Sequence, residues 1–411
     1  GCLAHRLILS SSSPGRSSVN PKRGAARAKC ARLCVTKASA CPFTAASRTI
    51  SSPGSASCGR QVNRTSTGST KAASAVRAAS TSASDNPDAS RCSGRFSTSS
   101  YSMNNAGVAS GTRRPFSTNP SSTLDAPSRL RALLALPGPL LVPGAYDALS
   151  ARLVEATGFD AVYMTGFGAT ASLLGLPDVG LLTMSEMADN ASRMARAVDL
   201  PLIADADTGY GNAINVVRTV QQFEQAGVAA VQLEDQISPK RCGHMSGKQV
   251  VPLTEMVDKL GAAVAARSDP DLVIIARTDA RAVEGLDAAL TRAEAYWQAG
   301  ADVLFIEAPE SEAEIETIAQ AFPNAPLVFN WVERGFTPML PLERVAELGF
   351  AIVIFPVATL FSATAGMQRY LTSLRATGTP LAALSDAIPF DDFTDLVGLP
   401  EVRTFEASVV R

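Results

Sequence analysis

Residues 121–411 contain one cysteine and one histidine, two residues apart in Lys240-Arg241-Cys242-Gly243-His244. Upstream lies an acidic, glycine-flanked run, Asp205-Ala206-Asp207-Thr208-Gly209-Tyr210-Gly211. The first motif offers a thiol that can give or take a proton, and the second offers paired carboxylates for a hard divalent cation. An unperturbed thiol has a pKa of about 8.5, so near neutrality it is mostly protonated and can serve as an acid. Lys240, Arg241 and His244 beside it should lower that value and keep proton exchange quick. The plain alternative is a structural cysteine on a basic surface loop. Zinc is disfavoured, because a single Cys and a single His cannot complete its ligand set.

Elements that could position these residues follow from the periodicity. Short apolar runs, each a predicted strand, fall at 140–143, 161–164, 202–205, 230–234, 273–277, 303–307, 327–330 and 352–355. Helical periodicity fills the gaps at 147–157, 185–197, 213–225, 254–267, 287–298, 311–321 and 342–348. Ser311 with Glu314 reads as a capping box, and Gly227 and Gly300 read as helix stops. The strands are continuously apolar rather than alternating, as expected when both faces are covered. Eight strand–helix units of this kind predict an α/β protein, a (β/α)8 TIM barrel, rather than an open doubly wound sheet. No apolar run approaches the roughly 20 residues that span a bilayer.

A barrel collects its site where the βα loops leave the C-terminal ends of the strands. The strand ends here are Thr165-Gly166, Asp205 with Asp207, Glu234-Asp235, Arg277, Glu307 and Asn330. So many polar groups at one rim are costly unless they pair, since an unpaired buried charge costs several kcal/mol. Asp205, Asp207, Glu234 and Glu307 form an all-oxygen set suited to Mg²⁺, which needs only one or two direct carboxylates and water for the rest. Alternatively, Asp207 caps the next helix and Glu234 pairs with a rim lysine. Arg277 would clamp a substrate carboxylate bidentately, compatibly with a salt bridge to Glu234 or Glu307. Thr165-Gly166-Phe167-Gly168 offers backbone N–H groups as an oxyanion nest, or is only a turn. Cys242 sits on a Gly- and Lys-rich loop, 238–249, that reads as a lid over the barrel mouth.

Composition splits the chain. Residues 1–120 carry 17 Lys and Arg against Asp85 and Asp88, while 121–411 carry 20 basic and 36 acidic residues. Six of the seven cysteines lie in the leading part, without metal-ligand spacing or a secreted disulfide framework. Rich in Ser, Ala, Arg and Thr and poor in bulky apolar residues, 1–124 is expected to be disordered, either a transit peptide or a leader ahead of Met103. Nucleic-acid binding by the basic run is disfavoured. A globular domain is expected over 125–411.

On these motifs the chain resembles the isocitrate lyase / phosphoenolpyruvate mutase superfamily. Within it, the resemblance is to methylisocitrate lyase, dimethylmalate lyase, the petal death protein and carboxyvinyl-carboxyphosphonate phosphorylmutase. The matching segments are Pro143–Ala148, Leu174–Asp178, Asp205–Gly211, Leu233–Gln236, Lys240–His244, Ala276–Ala280 and Thr337-Pro338, in order over residues 130–375. The resemblance implies a barrel with a swapped eighth helix, a homotetramer built as a dimer of dimers, and Mg²⁺ (or Mn²⁺) held by Asp205 and Asp207 with Glu234 and Glu307 through water. It matches Thr165, Gly166 and Phe167 to the segment that holds a substrate carboxylate. It matches Cys242 and Gly243 to the gating loop, and Asp178, His244, Arg277, Glu307 and Asn330 to substrate contacts.

Two departures narrow the reading. Phosphoenolpyruvate mutase has an asparagine-containing gate where this chain has Cys242-Gly243-His244, and a carbon–carbon lyase needs the acid that phosphoryl migration does not. The methylisocitrate branch carries an arginine whose register here falls on Phe361, with Phe329, Trp331 and Phe336 expected at the rim. The expected activity is cleavage of a 2-hydroxy dicarboxylate of 2-alkylmalate type. P–C bond chemistry, methylisocitrate cleavage, oxaloacetate decarboxylation and non-catalytic binding are the rivals. No membrane or nucleic-acid partner is expected, and the location is an organelle matrix if the leader is real, otherwise cytoplasmic.

Overall fold

The apolar runs become eight parallel strands in a computed structural model that describes residues 125–409. They are β1 (Leu140–Ala145), β2 (Val162–Met164), β3 (Leu202–Asp205), β4 (Ala230–Glu234), β5 (Val273–Thr278), β6 (Val303–Ile306), β7 (Val328–Asn330) and β8 (Ile352–Phe355). The helices are α1 (Ala126–Leu134), α2 (Ala148–Ala156), α3 (Gly166–Leu174), α4 (Met184–Ala197), α5 (Ala213–Ala226), α6 (Leu253–Ala266), α7 (Arg281–Glu284), α8 (Leu286–Gln298), α9 (Glu312–Ala321), α10 (Leu342–Glu347), α11 (Ala358–Thr377), α12 (Phe390–Leu396) and α13 (Leu399–Val409). The expected leader, 1–124, lies outside the described residues.

The strands pair in the order β6-β5-β4-β3-β2-β1-β8-β7. A single parallel bridge, Leu304 to Leu327, joins β6 to β7 and closes the (β/α)8 barrel. Side chains alternate between two cores. Val142, Tyr163, Ile203, Ile275, Phe305, Val328 and Ile354 fill the interior, and Leu130 of α1 packs with them. Their neighbours face the helices, where Phe223 and Tyr296 are fully buried. Both faces are therefore dry, which is why the strands read as unbroken apolar runs.

Caps fix the helix starts. Asp147 with Ser150, Thr183 with Glu186, and Asn212 with Asn215 each form reciprocal capping pairs. The pair expected at Ser311 is only half made. Ser311 accepts from the Glu314 amide, but the Glu314 carboxylate turns to Arg281 and the Glu310 amide. Helix α3 replaces the expected nest or turn, with Thr165 as its N-cap. Asn212, not Asp207, caps α5. Helix α11 opens the C-terminal extension; it buries no side chain and is held to β1 by Thr359, which donates to the Gly144 carbonyl. Among the described residues no helix is long and apolar enough to cross a membrane.

Candidate active site

The rim residues converge as the strand ends predict. A cavity of about 330 Å³ opens at the C-terminal end of the barrel, lined by Thr165, Phe167, Asp178, Asp205, Glu234, Lys240 and the 241–245 segment. Arg277, Glu307, Asn330, Arg334 and Phe361 complete its wall.

One side is acidic. Asp205 ends β3 and accepts the Gly166 amide at 3.1 Å on Oδ2 and the Asp207 amide at 3.1 Å on Oδ1. Any Cβ on Gly166 would come within 2.7 Å of Asp205 Oδ2, so the α3 N-terminus reaches the carboxylate only because residue 166 is glycine. In this arrangement that amide donates to Asp205. Lys240 Nζ sits between Asp178 (2.7 Å) and Asp207 (2.8 Å), and all three residues are buried. Burial pushes the Asp207 carboxyl up to about 6 and the Glu234 carboxyl well above its usual range. Glu234 pairs with Arg277 Nε at 3.3 Å rather than with a lysine, and its Oε1 has no hydrogen-bond partner.

The other side is built on Arg277 at the end of β5. Its guanidinium meets Asp279 (2.9 Å), Glu234 (3.3 Å) and Glu307 (3.5 Å) and lies 5.1 Å over the Phe305 ring. Glu307 also accepts from Asn330 Nδ2 at 3.1 Å and faces His244 Nε2 at 3.4 Å. The four carboxylates read as one oxygen set therefore divide: Asp205 and Asp207 stand by Lys240, Glu307 by Arg277, and Glu234 is paired to Arg277.

Over both sides lies the 238–249 loop. Its thiol differs from expectation. Burial pushes the Cys242 thiol up, and the neighbours expected to lower it are engaged elsewhere. Lys240 is turned to the carboxylates, the Arg241 guanidinium donates to the Ser246 carbonyl, and burial holds His244 below its ordinary value and so neutral. His244 Nδ1 instead accepts the Phe336 amide at 3.2 Å, and its ring stacks on Phe336 at 5.8 Å. Phe361 lines the cavity edge-on to Phe167, 6.1 Å between ring centroids. Phe329 and Trp331 do not join them; they pack outside the barrel against Phe350 and Phe355.

Whether a cation fits can be judged from charge. Asp178, Asp205, Asp207, Glu234, Asp279 and Glu307 are buried here with only Lys240, Lys248 and Arg277 to balance them. With the surplus of carboxylates, the Glu234 oxygen left without a partner suits a hard cation. Among the described residues no group of three or more His, Cys, Asp or Glu side chains is arranged to hold a metal ion. The donor set thus fits a cation held by one or two carboxylates and water, the habit of Mg²⁺.

In the sequence Lys240 stands out only as a neighbour of the thiol, and nothing there marks Lys248 or Asp279 for a role. The signal available was weak: a charged residue in a loop or after a strand is solvated far more often than buried.

Fold and site together define a (β/α)8 enzyme with its chemistry at the C-terminal rim. The chain belongs to the PEP mutase/isocitrate lyase superfamily, and the family described as phosphoenolpyruvate phosphomutase matches residues 130–375. It is 48% identical over 279 residues to a 2,3-dimethylmalate lyase from Eubacterium barkeri, covering 68% of this chain and 96% of that one. A 2-methylisocitrate lyase from Bacillus subtilis is 40% identical over 291 residues, covering 71% and 95%. The crystal structure of an oxaloacetate acetylhydrolase with 3,3-difluorooxalacetate superposes with a TM-score of 0.67 at 39% identity, over 69% of this chain and 97% of that one. This chain is an enzyme, a carbon–carbon lyase of that superfamily.

Proposed function

We propose that the enzyme cleaves a 2-hydroxy dicarboxylate of the 2-alkylmalate type to a 2-oxo acid and a carboxylate. The observation that carries this reading is a half-buried thiol, Cys242, closing a cavity that also holds Arg277 and a surplus of carboxylates. A Mg²⁺ or Mn²⁺ ion would be held by Asp205 and Asp207, with Glu234 and Glu307 through water, and would supply electrostatic stabilisation of charge developing on substrate oxygen.

Arg277 binds and orients a substrate carboxylate, with its own position fixed by Asp279, Glu234 and Glu307. A base takes the 2-hydroxyl proton and passes it to solvent, and that oxygen forms the new carbonyl. The C2–C3 bond breaks, and its electron pair passes to C3 as an aci-carboxylate. Cys242 Sγ–H protonates C3, and the thiolate regains its proton from solvent. The lid excludes water while the carbanion exists. P–C bond chemistry has no need of that donor. The resident thiol therefore weighs against it.

Phe167 and Phe361 offer the 2-substituent an apolar wall, worth about 0.8 kcal/mol per methylene buried. A third carboxylate there would lose water without a partner. In a coupled assay of 2-alkylmalates, methylisocitrate, isocitrate and oxaloacetate with Mg²⁺, kcat/KM for dimethyl- or propylmalate should exceed that for methylisocitrate by at least about 100-fold, a margin set by the unpaired carboxylate. Arg334 also lines the cavity, so efficient methylisocitrate cleavage would assign the carboxylate to it and sink the Phe361 argument.

The working assembly is a homotetramer whose dimers exchange α11, a reading supported by a helix of 20 residues with no buried side chain. The Arg- and Ser-rich composition of 1–124 supports delivery to a mitochondrial or other organelle matrix.

A further inference from the structure

The loop that carries Cys242 is tied down at a second point. Lys248, further along it, is buried, and its amine donates to the Gly243 carbonyl and pairs with Asp279 Oδ1 at 2.9 Å. The same Oδ1 accepts from Arg277 Nη2 at 3.0 Å, and Oδ2 accepts from Arg277 Nε at 2.9 Å. One carboxylate thus receives both the substrate-facing arginine and the lysine that fixes the lid.

Asp279 is itself immobilised from behind. Its amide donates to Asp235 Oδ1 at 2.8 Å, and Asp235 Oδ2 accepts from Thr278 Oγ1 at 2.7 Å and from the Tyr296 hydroxyl at 2.8 Å. It cannot follow the loop, so the loop must come to it. Where it does, Gly243 stands directly against the arginine: a Cβ there would lie 2.4 Å from Arg277 Nη2 and 2.0 Å from Glu307 Oε1. Lys248 and Asp279 are absent from the residues lining the cavity, so their effect on substrate must pass through Gly243 and Arg277.

We infer that Lys248 and Asp279 are positioning residues that make lid closure and the setting of Arg277 a single event. With the lid raised, Arg277 has both Asp279 oxygens to itself. With it lowered, Lys248 shares Oδ1 while Arg277 keeps both its bonds to Asp279, and Gly243 is seated against Nη2. A lysine buried without a partner is strongly disfavoured, so Lys248 enters its buried position only where Asp279 receives it.

The kinetic arm of the test rests on the lyase reading; the exchange arm does not. In the full-length protein, Lys248→Met should raise hydrogen exchange of the 242–246 amides about tenfold or more, the mark of a local opening, while exchange in β5 stays as in the parent. Lys248→Arg should fall between. kcat/KM on the preferred 2-alkylmalate should drop about 10–100-fold in Lys248→Met, the usual effect of misplacing a binding group by about an ångström. If no 2-alkylmalate is turned over, the exchange comparison still decides. Unchanged loop exchange in Lys248→Met, or β5 loosening to the same degree, would overturn the inference; the second result would reduce the pair to a structural salt bridge.

Discussion

A thiol enclosed by the lid resists ionisation, because the thiolate would lose water for which Arg277 compensates only in part: Lys240 belongs to Asp178 and Asp207, and Lys248 to Asp279. It stays loaded with its proton, as an acid must. Cys242→Ser should fold normally yet lose about 10²–10⁴ in C–C cleavage, the worth of a positioned acid whose replacement hydroxyl is too weak to act. Near-normal turnover would remove Cys242 from the role. Alkylation of the Cys242 peptide, followed by mass spectrometry, should rise with pH at a midpoint above the ordinary thiol value of about 8.5. A midpoint below it would mean that the loop cations do reach the sulfur. The sign for stability follows: the folded thiol holds its proton after the unfolded one has lost it, so stability falls as pH rises past the ordinary thiol range. His244 runs the other way. Depressed by burial, it contributes stability above the ordinary histidine range that is lost as pH falls.

Among the elements, the lid and α3 do most to shape the site. Gly243→Ala should leave the melting temperature nearly unchanged but cut kcat/KM by about 100-fold, because a methyl against Arg277 and Glu307 holds the lid off its seat. Full activity would show that the loop does not need to seat there. The strands were legible because a barrel strand is dry on both faces, and three of them, β3, β4 and β8, fall at the expected residues. Helix α3 was not. Gly166, Gly168 and Thr170 are poor helix formers, and only tertiary contacts, among them Asp205 on the Gly166 amide, hold its first turn. The ligand-side grouping was legible as a set of rim residues but not as two sides. Which carboxylate meets Lys240 and which meets Arg277 depends on barrel geometry that spacing along the chain does not encode. The aromatic rim failed for the same reason: Phe329 and Trp331 occupy outward positions on and after β7.

At the scale of the molecule the surplus of buried carboxylates should show as metal-linked stability. In thermal melts, Mg²⁺ at about 100 times its Kd should stabilise the protein by about 2.7 kcal/mol, and excess chelator should reverse the gain. Asp205→Ala should abolish most of that response and cost at least about 100-fold in turnover. Light scattering should report a tetramer, and an isolated monomer with full activity would rule out the helix exchange. The barrel's pairing order carries one more consequence. β1 joins β8 through four residue pairs, whereas β6 and β7 share a single bridge. As the polypeptide emerges during synthesis, Leu140 is delivered long before its mate Ile352, and the sheet cannot become a ring until β8 arrives. Through that wait an apolar strand edge stands open to any other nascent chain. Recovery of native enzyme on refolding or overexpression should therefore depend on protein concentration and on chaperones, even though the finished ring is paired everywhere but at the β6–β7 seam.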